Sequence, residues 1–281
     1  MASPTASRGA AFRIFRAALV ALAIFYLGAC ALVFFFQRKL LFVPPVRAAQ
    51  SVSQLAQQAG LERWKNSAGE NMGMKRRSAG QPAQASVLIC YGNGNSATGC
   101  AHYADALQAL APLDVFILEY PGDEDRAGVP SRETLLRAAA AAVALLDTNR
   151  PIFIVGESLG TGVAAWLAGK FPKKISGLIL LSPYERLADV AQFQYPWLPA
   201  RWLMQDDLWS GKFLETYPGA VGVMVDGRDR IVPERFGRKL FAGFAGRKQL
   251  WEFPDAGHVQ IREPKEKFWR EVAAFWKLKE N

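Results

Sequence analysis

Histidine and cysteine are scarce in this chain. Its 281 residues include only two histidines, His102 and His258, and three cysteines, with no Cys-x-x-Cys pair. A histidine-rich metal site is therefore excluded, and an odd, small number of cysteines argues against a disulfide framework. Cys90 lies in an apolar run typical of a buried strand, where a thiol packs as a small hydrophobic group.

Acidic residues are absent from the N-terminal tail. Residues 1–39 hold five Arg or Lys and no Asp or Glu, which is more than half of the net charge of +9. The rest of the chain is only mildly basic and has no basic stripe interleaved with aromatic residues, so nucleic-acid binding has no specific support. Proximity to an anionic bilayer explains the mild excess of positive charge more simply.

Charge of either sign is absent from residues 17–36, a run of 20 residues. As a helix rising ~1.5 Å per residue, this run just spans a hydrocarbon core of ~30 Å, so we expect an uncleaved single-pass anchor after a basic tail at residues 1–16. Two alternatives remain open, signal-peptide cleavage after Ala31 and lipidation of Cys30 in the lipobox-like Leu-Gly-Ala-Cys. The apolar run continues past both sites, which favours the anchor. The arginines before it favour a cytoplasmic N-terminus in a bacterial inner membrane, with the main domain outside.

Buried strands alternate with helices from residue 85 onward. We predict strands at 85–92, 114–122, 151–156, 174–183, 219–227 and 248–255, helices near 99–110, 131–148, 159–171, 234–244 and 264–278, and two short edge strands around 62–67 and 71–78. Continuous apolar strands separated by helices are typical of an α/β fold with a mostly parallel sheet covered on both faces. In such sheets ligands bind at the carboxyl ends of the strands.

One segment interrupts this alternation. Residues 184–218 contain three tryptophans, Trp197, Trp202 and Trp209, and no strand pattern. The segment is expected to be a small helical insertion. It is either a packing layer or a cap whose tryptophans face an apolar substrate, since insertions at the ligand-binding edge often act as lids.

A Gly-x-Ser-x-Gly pattern at Gly156–Gly160 follows a buried strand and opens a helix. That context is the one expected of a nucleophile elbow, in which the serine occupies a strained turn and glycines allow close packing. Ser158 is therefore a candidate nucleophile, and the alternative is an ordinary strand-to-helix turn. The helix N-terminus directs its positive dipole toward a developing oxyanion.

A serine hydroxyl needs a base and an acid to activate it. His258, in a loop after the last strand, is preferred to His102 as the base, because the order serine, acid, histidine requires a late histidine. Asp229, after the penultimate strand, is preferred as the acid. The other carboxylates considered are Asp226, which would instead brace the loop, Glu185, which is a distant third, and Asp255, which is too close to His258 in sequence.

An oxyanion hole needs two N–H donors. The backbone of Leu159 supplies one, and the glycine-rich turn at residues 90–96 could supply the other from Asn93. The alternative is a tight polar turn, which glycine and asparagine form in any case.

Several segments together resemble the α/β-hydrolases, especially the membrane-anchored, serine aminopeptidase-like (ABHD-type) branch. They are QRKLLFVPP, YGNGNS, EYPG, GESLGTG, DGRDRIVP and PDAGH, spread in the expected order from about residue 37 to 278. The resemblance implies a hydrolase domain over residues 40–281. Its implied site consists of Ser158 as nucleophile, Asp229 as acid, His258 as base, and Asn93 and Leu159 as oxyanion donors.

Two positions depart from the family pattern. Tyr91 stands where relatives usually have a histidine, so we expect it to support the loop and count it, with the three tryptophans, among the pocket candidates. The loop at 122–128 is unusually acidic. If it lined the site it would disfavour anionic substrates, and the alternative is a solvated loop.

The leading functional hypothesis is a serine hydrolase that forms an acyl-enzyme with an ester, thioester or amide and needs no metal or organic cofactor. The anchor and the aromatic-rich insertion favour an apolar acyl or lipid-like small molecule over a peptide. Two alternatives are a non-catalytic binding or scaffold protein on the same fold, and a cofactor-free haloperoxidase-like enzyme.

Overall fold

The central element of the computed structural model is an eight-stranded sheet with the order β1-β2-β4-β3-β5-β6-β7-β8. The structure describes residues 4–258 and 266–280. The strands are β1 (Glu62–Lys65), β2 (Asn71–Arg76), β3 (Ala85–Cys90), β4 (Leu113–Leu118), β5 (Ile152–Glu157), β6 (Ile175–Leu181), β7 (Ala220–Asp226) and β8 (Lys248–Phe253). All pairs from β3 to β8 are parallel, and β1 and β2 are added antiparallel at one edge. The predicted mostly parallel sheet with two edge strands is confirmed.

Most of the helices lie in the connections between strands. The helices are α1 (Pro4–Leu41), α2 (Ala49–Gln58), α3 (Ala101–Gln108), α4 (Arg132–Ala144), α5 (Leu159–Lys170), α6 (Leu187–Gln194), α7 (Ala200–Leu203), α8 (Ser210–Leu214), α9 (Glu234–Gly243) and α10 (Glu266–Phe275). Of these, α1 and α2 precede β1, and α10 follows β8. The helix predicted at 264–278 starts outside the described residues and is observed as α10. The helical insertion predicted at 184–218 is present as α6, α7 and α8.

The continuous apolar character of the central strands is explained by helices on both faces of the sheet. Every residue of β3, β4 and β5 is buried. Side chains alternate between faces along a strand. Phe153 of β5 stacks on Trp276 just after α10, with ring centroids 4.5 Å apart, whereas Gly156, on the other face, lies against Ala164 of α5.

The N-terminal helix α1 contains the predicted anchor. Residues Ala11–Leu41 form a helix long and apolar enough to cross a membrane, by length and composition, and little of its surface is buried. A stripe along the second half of the helix is covered, where Cys30 is buried and Val33, Gln37 and Leu41 are half-buried. Their spacing of three and four residues puts them on one helix face, which faces the helical insertion.

Close packing of α5 on the sheet depends on a residue without a side chain. A Cβ atom at Gly160 would overlap the backbone carbonyl of Cys90 in β3, and the carbonyl cannot move without breaking the sheet. The turn that begins α5 is therefore held against the end of β3.

We expect Gly160→Ala to lower the free energy of unfolding by about 3 kcal/mol or more, because the overlap is with backbone. Gly243→Ala, at the end of α9 with no atom near the added methyl group, is the matched control and should be neutral or slightly stabilising. Thermal unfolding of the purified variants measures both changes. Equal stability of the two variants would contradict the packing argument.

Candidate active site

Ser158 lies on a strained turn between the end of β5 and the start of α5. Its backbone has φ 49° and ψ −115°, in the left-handed region that non-glycine residues rarely occupy. The turn is held by the N–H of Ser158, which donates to the carbonyl of Leu181 at 2.9 Å. The serine is thereby presented at the carboxyl edge of the sheet, where parallel α/β sheets bind ligands.

The glycines around Ser158 allow the backbone to approach it closely. A Cβ atom at Gly156 would lie 2.9 Å from the Cβ of Ala164, and one at Gly92 would lie 3.2 Å from the Cβ of Ser158. Gly92 belongs to the turn after β3, so that turn lies directly beside the serine. These contacts give a physical reason for the Gly-x-Ser-x-Gly spacing.

His258 and Asp229 meet at the same edge of the sheet. Nδ1 of His258 lies 2.7 Å from Oδ2 of Asp229, and the carboxyl side chain is fully buried. The other oxygen, Oδ1, accepts the N–H groups of Ile231 and Val232, both at 2.8 Å. With the proton on Nδ1, the imidazole donates to the carboxylate and keeps the lone pair of Nε2 for a substrate or nucleophile.

The environment of Asp229 favours its charged form. Burial by itself raises the pKa of this carboxyl group, but the hydrogen bond and charge of His258, together with the Val232 amide and a serine hydroxyl, hold the pKa below its ordinary value. A carboxylate that stays charged is what an imidazolium needs for stabilisation.

The serine hydroxyl is that of Ser182, which sequence analysis did not identify. Ser182 follows β6 with φ 46°. Its Oγ lies 2.8 Å from Oδ2 of Asp229 and 3.1 Å from Oδ2 of Asp226. Its single proton can be donated to only one of them at a time. The only sequence signal was its position at the carboxyl end of a buried strand.

Asp226, the alternative acid, does not contact His258 through a hydrogen bond in the described structure. It is the last residue of β7 and only 1% exposed. Burial raises its pKa to about 6, and the negative charge of Asp229 adds to the shift. The structure thus assigns the two carboxyl groups different environments, with Asp229 facing the histidine and Asp226 behind it.

The remaining candidates are engaged elsewhere. Glu185 pairs with Lys239 at 2.7 Å, Asp255 pairs with Arg228 at 2.5 Å, and His102 on α3 has Nδ1 3.2 Å from the carbonyl of Gly99. None of these partners belongs to the group around His258. Among the residues that the structure describes, no cluster of three or more His, Cys, Asp or Glu is placed to hold a metal ion.

The two candidate oxyanion donors line one narrow crevice. Gly92, Asn93 and Leu159 form part of its wall. Leu159 is the first residue of α5, so its N–H is one of the unpaired donors at a helix N-terminus. Asn93 lines the crevice, and its side chain is bonded to another segment of the chain.

That side chain binds the segment that follows α1. Oδ1 of Asn93 accepts the N–H of Val43 at 2.9 Å, and Nδ2 donates to the carbonyl of Leu41 at 2.7 Å. The end of the candidate anchor is thereby attached to the turn beside Ser158. This coupling between distant parts of the chain has no signal in the sequence.

The acidic loop at 122–128 turns inward in part, so the alternative of a fully solvated loop is wrong. Asp123 and Glu124 are 6% and 3% exposed. Glu124 pairs with Arg47 at 2.9 Å. Asp123 lines the crevice beside Asn93, and burial raises its pKa to about 7.

Tyr91 is buried beneath this loop and lines none of the described pockets, contrary to its place among the pocket candidates. Its hydroxyl donates to Asp123 at 2.7 Å and contacts Glu119 at 3.1 Å. Its role is the structural support that was also expected. Buried tyrosine hydroxyls need such partners, and here they are carboxyl groups.

The three tryptophans of the insertion point in different directions. Trp197 lines an apolar cavity between α1 and the insertion. Trp202 is 90% exposed and lines no described pocket. Trp209 lines a separate groove and donates to Glu185 at 3.0 Å. The expectation that all three face one apolar pocket is wrong, because Trp197 and Trp209 line different pockets and Trp202 is exposed.

A family model and several known proteins match parts of this chain in sequence. A model of the alpha/beta hydrolase fold matches residues 85–218. The chain has the α/β-hydrolase fold. An uncharacterized protein of Mycobacterium tuberculosis is 36% identical over 177 residues, which are 61% of this chain and 62% of that protein. The chain therefore spans less than two thirds of this relative's length.

More distant relatives of this hydrolase-fold chain include proteins named as lipases. The lysophosphatidylserine lipase ABHD12 of Macaca fascicularis is 26% identical over 211 residues, which are 68% of this chain and 52% of the lipase. An uncharacterized membrane protein of Saccharomyces cerevisiae is 28% identical over 155 residues, covering 52% of this chain and 55% of that protein.

Solved structures show the same fold at low sequence identity. The Pyrococcus furiosus esterase PF2001 superposes with a TM-score of 0.64 at 16% identity, covering 84% of this chain and 97% of the esterase. A monoacylglycerol lipase of Paleococcus ferrophilus has a TM-score of 0.56 at 20% identity, covering 77% of this chain and 98% of the lipase.

The raised pKa of Asp226 predicts a pH-dependent cost to stability. Above pH 6 the buried group is charged in the folded state, so the folded state loses stability as the pH rises from 4 through 6. Asp226→Asn removes this charge. We expect the variant to match wild type near pH 4 and to exceed it by roughly 1–3 kcal/mol at pH 8. Denaturant unfolding at both pH values measures this, and parallel pH profiles would contradict it.

The Asn93 side chain is predicted to act through the turn and not through chemistry. Asn93→Ala keeps the backbone N–H but loses both bonds to residues 41–43. We expect kcat for a small ester to fall by about 10-fold. Removing an oxyanion donor lowers kcat by ~100-fold, and a donor that is only less firmly held should lose part of that effect. Gln108→Ala on α3, also a side chain bound to backbone carbonyls, is the control. Equal losses in both variants would indicate a general effect on stability.

Proposed function

We propose that this protein is a serine hydrolase in which Ser158 is the nucleophile, His258 the general base and Asp229 the acid that orients it. One observation carries the proposal. A buried carboxylate lies 2.7 Å from Nδ1 of His258 at the same sheet edge where Ser158 sits on a strained turn. Strain of this kind persists only where surrounding packing enforces it, and it is common at active sites.

The residues divide the chemistry as follows. Nε2 of His258 takes the proton of Ser158 while Oγ attacks the acyl carbonyl, and the negative charge on the carbonyl oxygen is received by the N–H groups of Leu159 and Asn93. The leaving alcohol takes the proton from His258. Water then attacks the acyl-enzyme, giving its proton to His258, and Ser158 leaves with that proton. Asp229 stabilises the imidazolium formed in each half-reaction.

The proposed substrate is an ester with an apolar acyl chain. The relatives named as lipases support a lipid-like ester, and the apolar cavity beside α1 supports a long acyl group. Buried acidic groups lie beside the oxyanion crevice, with Asp123 in its wall. A second negative charge there would be repelled, so we propose that the part of the substrate next to the crevice is neutral.

We also propose that the chain is a single-pass membrane protein, with residues 17–36 as the anchor and residues 40–281 as the hydrolase domain. The length and composition of α1 support a membrane span. The relative named as a membrane protein supports the same location. Arginines before the span support a cytoplasmic N-terminus and a hydrolase domain on the opposite side.

Labelling by a fluorophosphonate probe tests the mechanism. We expect full-length wild type in detergent to be labelled, and Ser158→Ala to abolish labelling. His258→Ala should reduce the labelling rate severely, and Asp229→Asn should reduce it by roughly 10³–10⁴-fold through loss of the correct tautomer.

Asp226→Asn is the matched control, since it makes the same chemical change on the neighbouring carboxyl group that does not hydrogen-bond to His258. Its labelling rate should stay within about tenfold of wild type. A larger loss in Asp226→Asn than in Asp229→Asn would reassign the acid. Folded wild type without any labelling would refute the serine hydrolase and favour a non-catalytic binding protein.

A further inference from the structure

An apolar cavity of about 270 Å³ lies between the C-terminal part of α1 and the helical insertion. Its walls include Val33, Gln37 and Leu41 of α1 and Tyr195, Trp197 and Leu203 of the insertion. We call it the α1–insertion cavity. Its size is near the lower end, ~300 Å³, of cavities that bind small organic ligands.

Two polar side chains of α1 at this cavity, Gln37 and Arg38, are bonded to the insertion. Gln37, the only amide side chain among the described residues that line it, donates Nε2 to the carbonyl of Leu203 at 3.0 Å and accepts the N–H of Gln205 at 2.8 Å. Arg38 pairs with the buried carboxylate of Asp206 at 2.7 Å. The helix and the insertion are thereby attached to each other, and the cavity surface left between them offers hydrocarbon contacts.

The insertion lies alongside the candidate membrane span and not only beyond its end. The hydroxyl of Tyr26 donates to the carbonyl of Trp197 at 2.9 Å. Tyr26 is within the uncharged run 17–36, ten residues before its end, which corresponds to ~15 Å along a helix. In a bilayer, residues 195–203 would therefore reach into the leaflet next to the hydrolase domain.

Exposed aromatic residues of the insertion fit this depth. Tyr195, Trp197 and Trp202 are 55%, 56% and 90% exposed. Tyrosine and tryptophan concentrate where the acyl region meets the headgroups. In water, exposure of this much aromatic surface on one small segment is unfavourable.

Hydrogen bonds connect the walls of the cavity to both halves of the candidate active site. Leu41, in its wall, is bound through its carbonyl to Asn93 of the oxyanion turn at 2.7 Å. On the other side, helix α6 contributes Tyr195 to the cavity. The neighbouring Gln194 binds the carbonyls of Arg230 and Ile231 in the loop of Asp229, at 2.6 and 2.8 Å.

We propose that the α1–insertion cavity holds the acyl chain of a membrane lipid ester, which enters sideways from the bilayer while its carbonyl group reaches Ser158. This inference rests on the proposed serine hydrolase. The lining favours a hydrocarbon chain over a polar ligand, because its amide is already bonded. The volume is too small for a partner helix, and the helix in the wall is the one that would be surrounded by lipid.

Chain-length selectivity tests the proposal. Full-length protein in phosphatidylcholine nanodiscs is assayed with p-nitrophenyl acetate and p-nitrophenyl dodecanoate. Ala191, half-buried on α6, lines the cavity. We expect Ala191→Phe to lower the ratio of kcat/KM for dodecanoate to that for acetate by about tenfold or more. In an apolar pocket, one methylene group of the substrate changes kcat/KM by about tenfold or more.

Two further variants give the experiment its controls. Ala141→Phe, exposed on α4 away from the cavity, should leave the ratio as in wild type. Trp197→Ala opens the cavity at an exposed position and should raise the ratio of kcat/KM for p-nitrophenyl hexadecanoate to that for the acetate. This variant decides the question if Ala191→Phe fails to fold. Normal fluorophosphonate labelling with an unchanged ratio in the cavity variants would overturn the cavity proposal alone.

A binding readout separates this proposal from the hydrolase proposal. Ser158→Ala in nanodiscs containing a phosphatidylcholine with a diazirine at the end of one acyl chain should cross-link within residues 195–204 upon irradiation. Cross-links there with no probe labelling of wild type would refute the hydrolase and retain a lipid site. Cross-links only along the outer face of α1 would overturn the cavity proposal. So would a wild-type dimer that is lost in Trp197→Ala, because that result would assign the cavity to a second copy of the chain.

Discussion

The contact between Gly160 and the backbone of β3 is the constraint on which the candidate site depends. It holds the first turn of α5 against the end of a buried strand, so the chain must reverse within one residue and Ser158 takes a left-handed conformation. The same contact positions the N-terminus of α5, with its free N–H groups, beside the turn at Gly92. The candidate nucleophile and the candidate oxyanion donors are thus placed by packing of backbone on backbone.

Buried charge is organised around that turn in two groups. Asp229 is stabilised as a carboxylate by His258 and backbone amides, whereas Asp226, one hydroxyl group away, has its pKa raised by burial. On the other side, Asp123 lies against the oxyanion crevice with a raised pKa. Low-dielectric surroundings strengthen both effects, so small changes in hydrogen bonding decide which groups are charged near neutral pH.

The segment after α1 connects the candidate membrane span to the candidate active site. Asn93 binds residues 41–43, and α1 packs on the insertion through one face only. A helix that merely tethered the domain would need no such stripe. Because the insertion also contacts the loop of Asp229 through Gln194, the position of α1 is mechanically linked to both loops on which the proposed chemistry depends.

The alternation of strands and helices, the apolar helix and the Gly-x-Ser-x-Gly turn were readable from the sequence, because hydrophobic periodicity and glycine placement act over a few neighbouring residues. The order of Ser158, Asp229 and His258 was also readable, though their assignment as a triad stays a proposal. The positions of Ser182, Tyr91 and Asp123, and the direction of each tryptophan, became known from the folded chain alone. These positions depend on which distant segments of the chain meet and on the burial that results. Until the segments have met, neither the pKa of a carboxyl group nor the buried face of a helix is defined.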